Sequence, residues 1–379
     1  RLSQPLTNPT NIAKRLDAVQ FFFEDSHIRA DLRGLLERVP DLARSLSRLT
    51  VGRGGPRDLI AVRAGLVNAE VIFARIAKSP NVDIPENLVS IQKGLIGHEI
   101  LIKQLSEVLN DDVPFWARDG GFIRPGHSSE LDGLVRLRDE GRNLIAALQL
   151  RYTEETGLSG LKIKHNNMLG YFIELPIKQA ENIDKKTRES FLHRQTMASA
   201  MRYTTLELAD LESRILKAAG QALNIELVLF EELVATVCSC AEQIAQCADA
   251  VADVDVLTAL AELAVVQRYI RPVVDDSLTF DIVGGRHPVV EWALQRGSET
   301  SFVANDCCLD ASKVEKNLGY LWLLTGPNMA GKSTFLRQNA LITLMAQMGS
   351  FVPASSARIG FVDRLFSRVG ASDDLAQGR

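Results

Sequence analysis

Between Gly326 and Ser333 the chain reads Gly-Pro-Asn-Met-Ala-Gly-Lys-Ser, two glycines framing four residues and followed at once by a lysine and a hydroxyl. That spacing suits the binding of a nucleotide's phosphates. Glycines let backbone N–H groups curl onto phosphate oxygens, and the start of a helix adds roughly half a positive charge. In such a loop Lys332 reaches the outer phosphates and the Ser333 hydroxyl completes the coordination of a magnesium ion. The flanks agree with this chemistry. A short apolar run, Leu321 to Leu324, reads as a strand before the loop, and Leu341, Leu344, Met345 and Met348 recur at helical spacing after it.

A nucleotide hydrolase also needs an acidic residue ending an apolar strand. Ile359-Gly360-Phe361-Val362-Asp363 imitates one, but glycine interrupts the strand and Arg364 follows, so Asp363 is expected to be structural. On this reading the hydrolytic half of the site lies beyond Arg379, and the chain alone is not expected to turn over nucleotide. Cys238, Cys240, Cys247, Cys307 and Cys308 are not placed with histidines at metal-ligand spacing and are odd in number, which suggests reduced thiols in a cytosolic protein.

The elements that must position the loop follow from composition and periodicity. A chain of 379 residues suggests two or three domains, and 46% hydrophobic with only 6% aromatic residues suggests a largely helical one. The net charge of −4 is too mild to announce a nucleic-acid partner, so any basic surface must be local. No apolar run is long enough to span a membrane, and no charged-then-apolar leader is read in the sequence, so neither a membrane span nor secretion is expected.

From Pro5 to about Leu109 helix follows helix. Thr10 or Asn11 can cap one carrying Ile12, Leu16, Val19 and Phe23. Two shorter helices carry Leu32, Leu35 and Leu36, then Leu42, Leu46 and Leu49. Pro56 opens a longer one, and another runs through Leu88, Ile91, Leu95, Ile102, Leu105 and Leu109. Asp111 to His127 breaks the pattern with glycines and prolines. Ser129-Glu130-Leu131-Asp132 then resembles a capping box opening a helix that Gly157 and Gly160 stop.

Residues 161–175 read as a hairpin turning through Asn166 to Gly170. Between Gly160 and Thr205 eight basic residues stand against four acidic ones, a local surplus of +4. Lys162, Lys164, Lys185, Lys186, Arg188 and Arg194 are candidates for phosphate-backbone contacts; a merely solvated basic face is the alternative. From Thr187 to Val266 a helical rhythm continues without proline, and even about 50 residues of helix would measure about 75 Å. The economical arrangement is a long helical arm that carries the basic hairpin as its tip. Past Arg268 the pattern turns to strands, at Phe280–Val283, Gly285–Glu291, Phe302–Asn305, Arg358–Val362 and Leu365–Val369.

The loop Thr325 to Thr334, together with Gly349-Ser350-Phe351-Val352-Pro353-Ala354, Asp363 to Ala371 and Gly285-Arg286-His287-Pro288-Val289-Val290, resembles the ATPase domain of the MutS family of bacterial DNA mismatch-repair proteins. Leu169 to Ile173 and Arg194-Gln195-Thr196 with Arg202-Tyr203 are similar to that family's DNA clamp. Ala330 departs from a glycine found in many members, a change of one methyl group. The resemblance implies a mostly α chain with a C-terminal α/β part: a helical lever bundle with long helices and a β-hairpin clamp tip, then the first portion of a P-loop, ABC-type ATPase domain. Its implied boundaries are lever core at 1–142, clamp at 143–212, a long helix returning to the core at 213–266, and the truncated ATPase domain at 267–379.

It further implies ATP and Mg2+ as cofactors. Gly326, Pro327, Asn328, Met329, Ala330, Gly331, Lys332, Ser333 and Thr334 would bind the nucleotide, Asn328 supporting the loop and Lys332 serving catalysis, with Phe302 stacked on adenine and Ser333 on the metal. The implied partners are double-stranded DNA carrying a mismatch or loop, a second copy in a homodimer, and proteins of the MutL type, with a cytoplasmic, nucleoid-associated location and no membrane. Mismatch-reading and connector domains would precede Arg1. The function implied is ATP-dependent mismatch recognition. The alternatives are a MutS-like clamp that holds recombination junctions, and an ATPase of the chromosome-structuring type, in which the P-loop precedes the arm rather than following it. The MutS-like branch without a clamp is disfavoured by the hairpin.

Overall fold

Pro9 is preset for a first helical turn, and the Asn8 side chain accepts the N–H groups of Thr10 and Asn11, so α1 (Pro9–Glu24) is capped two residues earlier than Thr10. The structure, a computed structural model, describes residues 5–79, 83–166, 168–181, 183–297, 301–310, 321–327 and 330–367. After α1 come α2 (Ser26–Leu36), α3 (Leu42–Thr50) and α4 (Pro56–Ala77). The single helix expected through Leu88 to Leu109 is two, α5 (Glu86–Gly94) and α6 (Glu99–Val108). Gly97 between them sits at φ +92°, a conformation that ends a helix and that side chains resist.

Ser128, not Ser129, caps α7 (Ser129–Thr156) by accepting the Leu131 N–H, while Asp132 accepts the N–H of Gly126. Gly157, left-handed at φ +66°, closes it as expected. Strands β1 (Lys162–Asn166) and β2 (Gly170–Pro176) form the expected hairpin. Short helices α8 (Ile177–Ala180) and α9 (Lys185–Ser190) follow. Where a continuous helix was expected, β3 (Leu192–Thr196) and β4 (Ala200–Thr204) make a second hairpin, giving an antiparallel sheet in the order β1-β2-β4-β3. Burial decides this. Pairing β4 on β2 sets Tyr203 beside Ile173, in a core shared with Ile145, Leu148, Tyr152 and Phe191. The long helical stretch begins only then, as α10 (Leu206–Ser239), and it breaks at Cys240 before α11 (Ala241–Gln267).

The C-terminal part contains β5 (Val273–Asp275), β6 (Thr279–Gly285), α12 (Pro288–Gly297), β7 (Asn305–Asp310), α13 (Lys332–Gln347) and β8 (Ser356–Gly360). The sheet order is β5-β8-β6-β7, with β5 and β8 parallel and the other pairs antiparallel. Ile282, Ile342, Ala346, Val352 and Ile359 form the core between α13 and this sheet. Three strand expectations change. Gly285–Glu291 is no strand, because Pro288 opens a helix. Residues 301–304 precede β7 without pairing, and of the strand expected at Leu365–Val369 residues 365–367 are irregular while 368 and 369 lie outside the described residues. The run Leu321–Leu324 is also unpaired, with Leu321 and Leu323 more than four-fifths exposed; the described sheet supplies no neighbouring strand to bury it.

The chain is thus mostly α with a C-terminal α/β part. It divides into two compact units, Arg1–Ala43 with Ala64–Glu99 and Ala241–Arg379, and Arg44–Arg63 with Ile100–Cys240. In the second unit α7 lies along α10, 34 residues or about 50 Å long, and the four-stranded sheet packs on both helices.

Candidate functional site

Gly331 caps α13 in the left-handed region at φ +85°, where no neighbour lies within 4 Å of an added Cβ. A side chain there would be strained by the backbone and not by space. Lys332 is the first helical residue. Its Nζ turns back onto the loop, donating to the carbonyl oxygens of Gly326 and of Pro327, the latter at 3.1 Å. The ammonium is therefore held on the loop's own carbonyls, while the first N–H groups of α13 have no acceptor within the helix. Asn328 and Met329 lie outside the described residues.

A cleft of about 540 Å³ opens above this loop. Its lining joins the apolar side chains of Phe302, Val303, Trp322 and Phe335 to the loop residues Thr325, Ala330, Gly331, Lys332 and Thr334. Phe302, thirty residues before the lysine, is brought to the same cleft. Trp322 and Phe335 lie parallel, 6.2 Å between centroids and 2° between planes. Apolar rings together with a lysine and a helix-opening glycine in one lining suit a planar base and its phosphates. Sequence reasoning missed Asn305, Asp306, Trp322 and Phe335. Leu321–Leu324 read only as an apolar strand before the loop, and in a run that is apolar throughout nothing singles out Trp322.

Ser333 does not line this cleft. It faces an adjacent one of about 680 Å³ with Phe280, Cys307, Arg337 and Leu365, because one helical step rotates it away from Lys332. Among the residues lining the nucleotide-sized cleft Asp306 is the only carboxylate, and its Oδ1 already accepts the Gly284 N–H at 2.7 Å. The loop and its lysine fit the triphosphate end of a nucleotide. A magnesium ion would have to take most of its oxygens from the phosphates themselves, with a hydroxyl of the loop. Asp363, exposed three residues after β8, lines neither cleft.

The motif Gly285 to Val290 proves to be a corner. The Arg286 guanidinium donates to Glu291 at 3.0 Å and to the carbonyls of Gln267 and Arg268, each at 3.1 Å, fastening the end of α11. His287 Nδ1 accepts the Val290 N–H at the start of α12, and burial holds the imidazole below its usual pKa.

In the arm's sheet, β1 and β3 are the two edges, so Lys162 and Lys164 stand on one edge and Arg194 on the other, all exposed. Lys164 Nζ donates to Glu174 at 2.6 Å, and Arg202 Nε donates to the same carboxylate at 3.3 Å while its guanidinium covers the Phe172 ring at 4.5 Å. The Lys164 contact, helped by Arg202, lowers the Glu174 pKa. Arg188 is exposed on α9; the side chains of Lys185 and Lys186 lie outside the described residues. The surplus of basic groups is spread over the tip rather than gathered at the hairpin.

A mostly helical chain with an antiparallel sheet packed on two long helices, ending in an α/β part whose helix N-terminus carries a glycine-lysine loop, defines a helical protein with a candidate nucleotide-binding end. Residues 1–261 match the family model of MutS domain III and residues 322–379 that of MutS domain V. The chain belongs to the MutS family. A mismatch-repair-type function comes with that membership, and domain V belongs to a family of ATPase domains, for which nucleotide binding with Mg2+ is general. The family binds DNA and generally forms dimers. No described helix is long and apolar enough to cross a membrane.

Proposed function

We propose that this chain is the lever, the DNA clamp and the ATP-binding loop of a bacterial, ATP-dependent sensor of mismatched or looped double-stranded DNA. The observation that supports it most is the cleft in which Phe302 and Lys332 face the same space from segments thirty residues apart. Phe302 stacks on adenine; the N–H groups from Gly331 onward and Lys332 bind phosphates, the ammonium exchanging the Gly326 and Pro327 carbonyls for phosphate oxygens. When bound, Mg2+ would supply charge neutralisation at the phosphates, and the Ser333 hydroxyl, which lines the neighbouring cleft, is the group of this chain that would hold it. Asn328 supports the loop. Lys332 is the catalytic member of this chain; the chain alone is inactive, while the full-length protein is a DNA-dependent ATPase.

Lever core at 1–142, clamp at 143–212, returning helix at 213–266 and ATPase portion at 267–379 divide these roles. The protein acts as a homodimer in the bacterial cytoplasm, associated with the nucleoid, and hands its signal to proteins of the MutL type.

Fluorescence anisotropy of the full-length protein on a G·T-mismatched duplex and its perfectly paired twin, each with and without ATP, tests this reading. Tighter binding to the mismatch, relieved by ATP, is expected. Equal binding to both duplexes, still responsive to ATP, overturns mismatch recognition and favours a clamp that holds recombination junctions.

A further inference from the structure

The far end of α13 is as well held as its beginning is open. Gln347, the last residue of the helix, is 3% exposed, and its amide satisfies three backbone groups at once. Nε2 donates to the Leu6 carbonyl and to the Val362 carbonyl, both at 2.9 Å, and Oε1 accepts the Val362 N–H at 3.1 Å. Two carbonyl partners on one side and an N–H on the other leave the amide one orientation. The Leu6 N–H in turn donates to the Gln347 carbonyl at 2.9 Å. Nearly two turns into α1, Arg15 donates to the Met348 carbonyl at 2.9 Å. Gly349 follows at φ +78°, and a Cβ there would lie 2.6 Å from the Arg15 side chain, so the chain leaves α13 in a form that only glycine allows beside α1. Phe23, at the other end of α1, meets Phe351 with 5.1 Å between ring centroids.

These contacts line up along a single helix. α1 packs along α11 in the same compact unit. Lys332 and Gln347 are separated by about 22 Å of one unbroken helix. A helix of this length moves as a rigid body, so a rotation at its first turn arrives at its last.

We propose that Gln347 and Arg15 are the joint through which nucleotide binding at the first turn of α13 displaces α1, and through it the helical unit. The joint is a pair of positioning residues, distant from the nucleotide. It rests on the reading of the Lys332 loop as an ATP site.

The test uses the full-length protein and two readouts: binding of a fluorescent ATP analogue, and hydrogen–deuterium exchange over residues 9–24 with and without Mg-ATP. In the unmodified protein, nucleotide is expected to change the exchange of α1. Gln347→Met and Arg15→Ala should bind the analogue within about twofold of the unmodified protein yet lose the response of α1 and reduce the ATP-driven change in DNA affinity at least about tenfold, within the usual range of coupling between sites. Arg15→Lys, which keeps a donor for the Met348 carbonyl, should restore much of both. Unmodified protein that binds nucleotide while α1 stays unmoved overturns the joint and spares the ATP site. Variants that keep the full response of α1, or that lose analogue binding in proportion to it, overturn the joint as well. Failure of the unmodified protein to bind the analogue sinks the ATP site, and the joint with it.

Discussion

Lys332 is the residue on which the nucleotide reading turns, and its position makes a specific demand. With its Nζ on the Gly326 and Pro327 carbonyls, the lysine holds the loop closed on itself. Lys332→Ala removes both that restraint and the cation that would replace it on phosphate. A hydrogen bond to a charged group contributes about 1.5–3 kcal/mol, so nucleotide affinity should fall roughly 10- to 100-fold. Titration of a fluorescent ATP analogue measures this, and anisotropy on duplex DNA should show binding that no longer responds to ATP. Unaltered ATP turnover in this variant would remove the lysine from the site. The candidate was legible because Gly-Lys-Ser at that spacing has few other uses. The role of Gly285 to Val290 was not, since Arg286 and His287 show their function only through the backbone groups they reach on α11 and α12.

At the scale of elements, hydrophobic period was read well where a helix was long and alone, and poorly where a tertiary neighbour chose between helix and strand. The segment Leu192–Thr204 has neither proline nor glycine and passes for helix, yet β2 offers it a strand edge and a place for Tyr203. The break Asp111–His127 was plain from its glycines, but its purpose needed the structure. Glu226, buried in the middle of α10, accepts the N–H of Gly121 on both oxygens, at 2.9 and 2.8 Å, and those of Phe122 and Ile123 at 3.1 and 3.3 Å. Gly120 must lack a side chain, since a Cβ would lie 2.6 Å from Glu226 Oε2. One carboxylate thus fastens the connection between α6 and α7 to the long helix. Glu226→Ala strands those buried donors and should cost on the order of 3 kcal/mol locally. Hydrogen exchange should show the amides of residues 120–123 losing protection by roughly a hundredfold, while α13 is unaffected. Equal loss of protection in both places would mean that the carboxylate supports the whole fold rather than this one junction.

For the whole molecule, a net charge of −4 conceals a tip with a surplus of basic groups, and the structure sorts that surplus. Lys164 and Arg202 are committed to Glu174, and their charge is partly cancelled within the sheet. Arg188 on α9 and Arg194 on β3 are exposed, beside Lys185 and Lys186 in sequence on α9. A clamp that closes on a DNA backbone needs cations that are free to replace condensed counterions, and each phosphate so neutralised contributes about 0.9 to the slope of log affinity against log salt. Replacing Lys185, Lys186 and Arg188 together by Ala should therefore weaken binding to any duplex, matched or not, and make that slope shallower by about 2 to 3. Lys162→Ala with Lys164→Ala should change it by less, because one of the two already serves Glu174. Salt titrations on a single duplex distinguish these outcomes. An unchanged slope in the triple variant would mean that α9 is a solvated face and that the DNA contact lies elsewhere on the arm. A loss confined to mismatched duplex would be harder still on the assignment, since backbone contacts carry no base information.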